Sequence, residues 1–243
     1  MSTGDNWHPV GLSHSIEAGS SAGTRLFGQE LVIWRDNSGT AHVWEDRCPH
    51  RGMKLSFGFV RGDHIACLYH GWQYDRAGYC RYIPAHPDLD VPKTFKVPVY
   101  LTQEQGGMIW TTLSGNPPPL PGDRDQAVPL RSLHLDCGVD TVIAALGTVR
   151  LVPFASQGLA DSIVSRVTET LYTVSSGEDQ LLIGIQAVSD TRIALHLTIS
   201  GWPKLYEGFG QIFFLDWALQ LRHAIECPRK PSFAGRAAAA EAN

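Results

Sequence analysis

CPHRGMKLSFG at residues 48–58 and CLYHGWQYDRAGYCRYIPA at residues 67–85 each open on a cysteine and place a histidine within the next three residues. The pairs Cys48/His50 and Cys67/His70 are separated by sixteen residues, His50 to Cys67. A cysteine and a histidine so close in sequence turn toward a common centre only from a tight loop. Pro49 and Gly52 supply that loop in the first string, and Gly71 closes the second. Each loop then presents one sulfur and one nitrogen. Such a set suits a two-iron unit clamped from both sides, with two thiolates on one iron and two imidazoles on the other. It also suits a structural tetrahedral zinc, and a chance meeting of core residues is a third reading.

The strings around these loops run much further than four ligands. WHPVG begins at Trp7, LVIWRDNSGTAHVWEDRCPH (31–50) alternates into the first loop, and FKVPVYLTQEQGGMIWTTL (95–113) closes the region. From about Trp7 to Leu113 the sequence resembles the N-terminal domain of the Rieske-type non-haem iron oxygenases, the aromatic-ring hydroxylases and oxidative demethylases. The resemblance implies a Rieske [2Fe-2S] cluster held by Cys48, His50, Cys67 and His70. Respiratory Rieske proteins carry an extra cysteine in each ligand loop, and these loops have none. The resemblance is therefore to the oxygenase and ferredoxin branch.

Tyr69 and Trp72 flank His70 in the family's pattern, as a shield for the cluster or as plain packing. Arg51 is read either as a docking residue for an acidic partner or as half of a local ion pair. His42 and His64 are expected at the surface. Cys80, Cys137 and Cys227 are scattered and odd in number, which argues against a disulfide framework.

The strand signals give a mainly β chain. Leu31–Trp34, Ala41–Trp44, Phe59–Val60 with His64–Cys67, and Met108–Leu113 are rich in β-branched and aromatic residues. Asp36-Asn37-Ser38-Gly39 is the turn of a hairpin. NPPPLPGD (116–123) cannot continue a strand or a helix, so it is read as a linker between a Rieske β-domain at 1–115 and a small α+β domain at 124–228. In that second domain, residues 166–201 read as three strands broken at 175–179 and 189–191, and a helix is expected over 214–227. Residues 229–243 are read as a flexible tail. By resemblance, the second domain is a reduced form of the family's helix-grip catalytic domain.

The family's catalytic iron is held by two histidines and a carboxylate, in a pattern like Asp-x-x-His-x-x-x-x-His. That pattern is absent here. Beyond residue 115 only His134, His196 and His223 occur, none of them near another, so no catalytic residue is assigned. An unconventional set of His134, Asp136 and His196 is the alternative.

The expected function is single-electron transfer by an auxiliary oxidoreductase subunit of a Rieske oxygenase system. The resemblance implies an NAD(P)H-dependent reductase or a ferredoxin as donor, and a separate catalytic oxygenase subunit in a mixed oligomer. A terminal monooxygenase or demethylase with unconventional iron ligands is one alternative, and a zinc-stabilised interaction module the other. A formal charge of −4 with no basic stripe argues against nucleic acid. No leader peptide or membrane span is legible, so a cytoplasmic location is expected.

Overall fold

The computed structural model describes residues 6–120, 126–154 and 160–227. Ten strands come first: β1 (His8–Leu12), β2 (Ser21–Leu26), β3 (Gln29–Arg35), β4 (Ala41–Glu45), β5 (Phe59–Arg61), β6 (His64–Ala66), β7 (Gln73–Asp75), β8 (Cys80–Tyr82), β9 (Val99–Gln105) and β10 (Met108–Thr112). Then follow β11 (Ala127–Leu135), α1 (Val139–Leu146), β12 (Ile163–Arg166), β13 (Leu171–Ser176), β14 (Asp179–Ser189), β15 (Arg192–Ser200), α2 (Pro203–Tyr206) and α3 (Phe209–Glu226). They build three antiparallel sheets, ordered β1-β10-β9-β4-β3-β2, β5-β6-β7-β8 and β11-β15-β14-β13-β12. The chain is mainly β, as its sequence reads.

The apolar run Leu31–Trp34 is continuous because both of its faces are covered. Val32 and Trp34 enter a core with Trp44, Leu55, Ile65 and Tyr74, while Leu31 and Ile33 enter another with Val10, Leu26, Val43 and Ile109. The hairpin expected at Asp36–Gly39 forms, with Arg35 opposite Ala41. Asp36 Oδ1 accepts from the backbone of Ser38 at 2.9 Å and of Thr40 at 3.0 Å, the side-chain turn that favours Asp here. Its other oxygen binds Arg76 at 2.8 Å and His42 at 3.2 Å. Burial alone would raise the Asp36 carboxyl, but hydrogen bonds from Ser38, His42 and Thr40 and the Arg76 charge hold it well below the carboxylate range. His42 is therefore not the surface residue expected from sequence. It stacks on Trp34 at 4.3 Å between centroids and completes the Asp36 network. His64 is also largely enclosed, with Nδ1 3.5 Å from Asp63.

In the second unit, α3 and α1 lie across one face of the five-stranded sheet. Phe214, Trp217, Leu221 and Ile225 join Leu181, Ile183 and Leu195 in one buried cluster. The helix starts at Phe209, five residues before the expected 214, and α1 occupies a stretch that carries no helical reading in the sequence. The other face of this sheet meets the first unit. Thr198 Oγ1 donates to Gly106 O at 2.9 Å, and Phe27 N donates to Ala187 O at 2.7 Å. Gly184 permits the approach, since a Cβ there would sit 2.7 Å from Met108 Sδ. Residues 116–120 carry no regular element. The rest of the expected linker, 121–123, and the expected tail at 229–243 lie outside the described residues.

Candidate metal centre

Two loops of the same construction face one another at the end of the four-stranded sheet. In the first, Cys48 N donates to Met53 O at 2.8 Å and Gly52 N donates back to Cys48 O at 2.8 Å. In the second, Cys67 N donates to Trp72 O at 2.9 Å and Gly71 N donates back to Cys67 O at 3.0 Å. Gly52 and Gly71 close these turns with φ of 73° and 69°, a region that favours glycine.

The donors divide by depth. Cys48 and Cys67 are buried, at 2% and 3% exposure, whereas His50 is partly exposed and His70 exposed. The two imidazoles lie together, 4.7 Å between centroids. Trp72 from the second loop stacks flat on His50 from the first, at 4.4 Å and 5°. Phe95 abuts the edge of Trp72, and Tyr69 lies 3.9 Å from His70. Tyr69 and Trp72 thus hold the imidazoles in place by packing. The loops are interleaved at His50, which stacks on Trp72 of the other loop, whereas His70 packs on Tyr69 of its own loop and on His50.

The thiols form the inner pair. Cys67 lies within hydrogen-bonding reach of Cys48, and this contact, followed by the Tyr74 hydroxyl, brings the Cys48 thiol down to about 6. The Cys48 sulfur and then burial push Cys67 up. Tyr74 Oη is 3.0 Å from Cys48 Sγ. Burial raises the Tyr74 hydroxyl and the Cys48 sulfur raises it further, so it stays protonated and donates. Tyr74 is a site residue that sequence reasoning missed; alternation along β7 marks it only as a core position. Cys80 shares this core, its Sγ 3.7 Å from Tyr82 O. All five cysteines are free thiols.

Among the described residues, no three His, Cys, Asp or Glu donors converge on a single ion. A buried sulfur pair beside an outer nitrogen pair fits a two-iron unit.

Residues 6–100 match the family described as "Rieske [2Fe-2S] domain". This stretch of the chain is a Rieske domain. The Rieske domain carries a [2Fe-2S] cluster of that type, which supplies one-electron redox chemistry when bound. Oxidoreductase NdmD of Pseudomonas putida is 38% identical over 151 residues, covering 58% of this chain and 26% of NdmD. The chloroplastic protein TIC 55 of Arabidopsis thaliana is 35% identical over 118 residues, covering 48% of this chain and 22% of that protein. This chain thus spans about a quarter of the length of those curated relatives. The solved structure of a Pseudomonas putida CBB5 NdmA QL mutant with theobromine superposes with a TM-score of 0.71 at 21% identity, over 98% of this chain and 85% of that one. Likeness of fold therefore continues past the Rieske domain into the sheet and helices of the second unit.

The second unit does not assemble His134, Asp136 and His196 into a ligand set. His196 is buried, and both its nitrogens are engaged: Nδ1 lies 2.8 Å from Ser132 Oγ and Nε2 2.8 Å from Gln186 Oε1. Gln186 Nε2 donates onward to Thr24 Oγ1 and to Arg25 O, which fixes its amide orientation and makes His196 the Nε2–H tautomer. Burial and the nearby His134 hold this imidazole down to about 3. Asp136 pairs with Arg192 at 2.8 Å, His134 is exposed on β11, and His223 is exposed on α3. Arg51 has no ion-pair partner among the described residues, and it lines a surface cleft with Arg47, Lys54 and Glu30.

Proposed function

We propose that Cys48, His50, Cys67 and His70 hold the cluster, and that this chain passes single electrons as an auxiliary subunit of a Rieske oxygenase system. The cysteines would bind the buried iron and the histidines the outer one. The outer position leaves one nitrogen of each imidazole directed to the surface, where a carboxylate of a neighbouring protein can accept a hydrogen bond. The Trp72 stack and the Tyr69 contact fix both rings, so little reorganisation accompanies electron transfer. Arg47 and Arg51, without an ion pair among the described residues, suit docking to an acidic donor such as a ferredoxin or an NAD(P)H-dependent reductase.

One observation carries the auxiliary role: the histidine nearest the middle of the second unit, His196, has both nitrogens committed to Ser132 and Gln186. It serves as a structural bridge between the two halves. The space between α3 and its sheet supports the same reading, because Phe214, Trp217 and Leu221 fill it at 4% exposure or less. The catalytic iron would then belong to a separate oxygenase subunit in a mixed oligomer. We further propose that residues 1–115 and 124–228 are the two domains, joined through 116–123, and that the protein works in the cytoplasm.

The test is turnover by the purified chain supplied with NAD(P)H, a ferredoxin and its reductase. The visible absorbance should bleach on reduction and recover on reoxidation, with no hydroxylated or demethylated product from aromatic or N-methyl substrates. Product formed by the chain alone overturns the auxiliary role, and failure to accept electrons overturns the carrier role.

A further inference from the structure

Trp72 stands two residues after His70 in the second ligand loop, yet its indole meets the histidine of the first. The two rings are 5° from parallel with centroids 4.4 Å apart, a flat stack. The support behind the indole is fixed. Phe95 abuts its edge at 5.3 Å and 75°, and Phe95 O accepts from Cys80 N at 2.8 Å, which ties Phe95 to β8. Trp72 O in turn accepts from Cys67 N at 2.9 Å, so the backbone that carries the indole is the backbone that closes the second loop. A continuous path of contacts runs from β8 through Phe95 and Trp72 to His50.

A metal-bound imidazole is held at one nitrogen and can still turn about the bond to its metal. Proteins usually stop that turning with a hydrogen bond from the other nitrogen to a carboxylate or a backbone carbonyl. Neither His50 nor His70 makes a side-chain hydrogen bond among the described residues, and ring contacts take that place. Those contacts are unequal. His70 is exposed and lies tilted by 32° against Tyr69, itself 57% exposed. His50 is half-buried under a tryptophan that has a buttress of its own.

We infer that Trp72 is the positioning residue for His50, setting the plane of that imidazole from across the loop boundary and holding it more firmly than Tyr69 holds His70. This rests on the reading that both histidines bind the cluster.

Pulsed EPR of the reduced, cluster-loaded full chain tests it through the nitrogen couplings of the two histidines. The wild type should give two couplings, the narrower one from His50. Trp72→Leu removes the flat surface and should broaden one coupling at least about twofold while the other keeps its width. Trp72→Phe keeps an aromatic face and should restore most of the narrowness. Phe95→Leu, which leaves the indole but removes its buttress, should broaden the same coupling by less, and Tyr69→Leu should broaden the other one instead. A tryptophan that serves only the general packing of the loops would leave both couplings unchanged in Trp72→Leu or broaden both alike, and either result overturns the inference. Should Trp72→Leu fail to load a cluster, Phe95→Leu decides the matter by the same two criteria. A wild-type signal without two histidine nitrogens overturns the ligand reading itself, and so is told apart from failure of the stack alone.

Discussion

The Tyr74 hydroxyl lies 3.0 Å from Cys48 Sγ, and both residues are buried in the same core beneath the ligand loops. With the sulfur in thiolate form only the tyrosine can donate. A hydrogen bond to a ligating sulfur stabilises the reduced, more negative cluster and raises its potential. Tyr74→Phe should lower the potential by roughly 40–60 mV, the one-electron equivalent of about 1–1.4 kcal/mol. Protein-film voltammetry on both proteins reads this directly, and equal potentials would show that the hydroxyl does not act on the ligand.

His50→Cys tests ligand identity. A third thiolate adds negative charge at the outer iron, so a cluster that survives should move toward the ferredoxin range near −400 mV. Unchanged potential and unchanged spectrum would remove His50 from the ligand set.

The two loop glycines are alike in backbone but not in surroundings. A Cβ at Gly71 would meet Pro84 Cγ at 3.0 Å, while at Gly52 it meets only the Arg47 guanidinium end at 3.6 Å. Both substitutions force an L residue into the left-handed region, at about 1–2 kcal/mol. Gly71→Ala should cost more than Gly52→Ala and retain less iron per chain. Thermal midpoints of the two variants, measured side by side, decide it; equal losses would mean that Pro84 yields freely.

His196 gives a pH dependence of known sign. Its folded value of about 3 lies below the ordinary 6.5, so the unfolded chain takes up the proton first. Stability is full above about pH 6.5 and declines as pH falls, by about 1.4 kcal/mol per unit, reaching a loss of about 2 kcal/mol at pH 5. His196→Asn keeps a donor toward Gln186 and cannot titrate. Urea unfolding at pH 7.5 and pH 5 should show the wild type losing about 2 kcal/mol more than this variant. Parallel losses would place the imidazole in contact with solvent.

Legibility in the sequence follows the range of the interactions. Cys48–Gly52 and Cys67–Gly71 are readable because each loop is closed by backbone bonds within six residues. The Asp36 hairpin is local in the same way. Tyr74 was not readable as a site residue, since its partner is 26 positions earlier and only the sheet brings them together. His196 is joined to Ser132 across 64 positions, and Gln186 to Thr24 across 162. No local pattern encodes such a bridge. The early start of α3 is not legible because Phe209, Ile212 and Phe213 are apolar and exposed while Phe214 and Trp217 are apolar and buried, leaving no single stripe. The placement of His42 is not legible in its neighbours because it depends on Trp34 and Asp36 together.

The iron and acid-labile sulfide content of the purified chain, read beside its low-temperature EPR spectrum, tests the central claim most directly. Two irons and two sulfides per chain, with a reduced-state Rieske signal and no mononuclear ferric signal in the oxidised protein, are the predicted result. A third iron with a mononuclear signature would contradict the assignment of catalysis to a separate subunit, and zinc in place of iron would contradict the cluster itself.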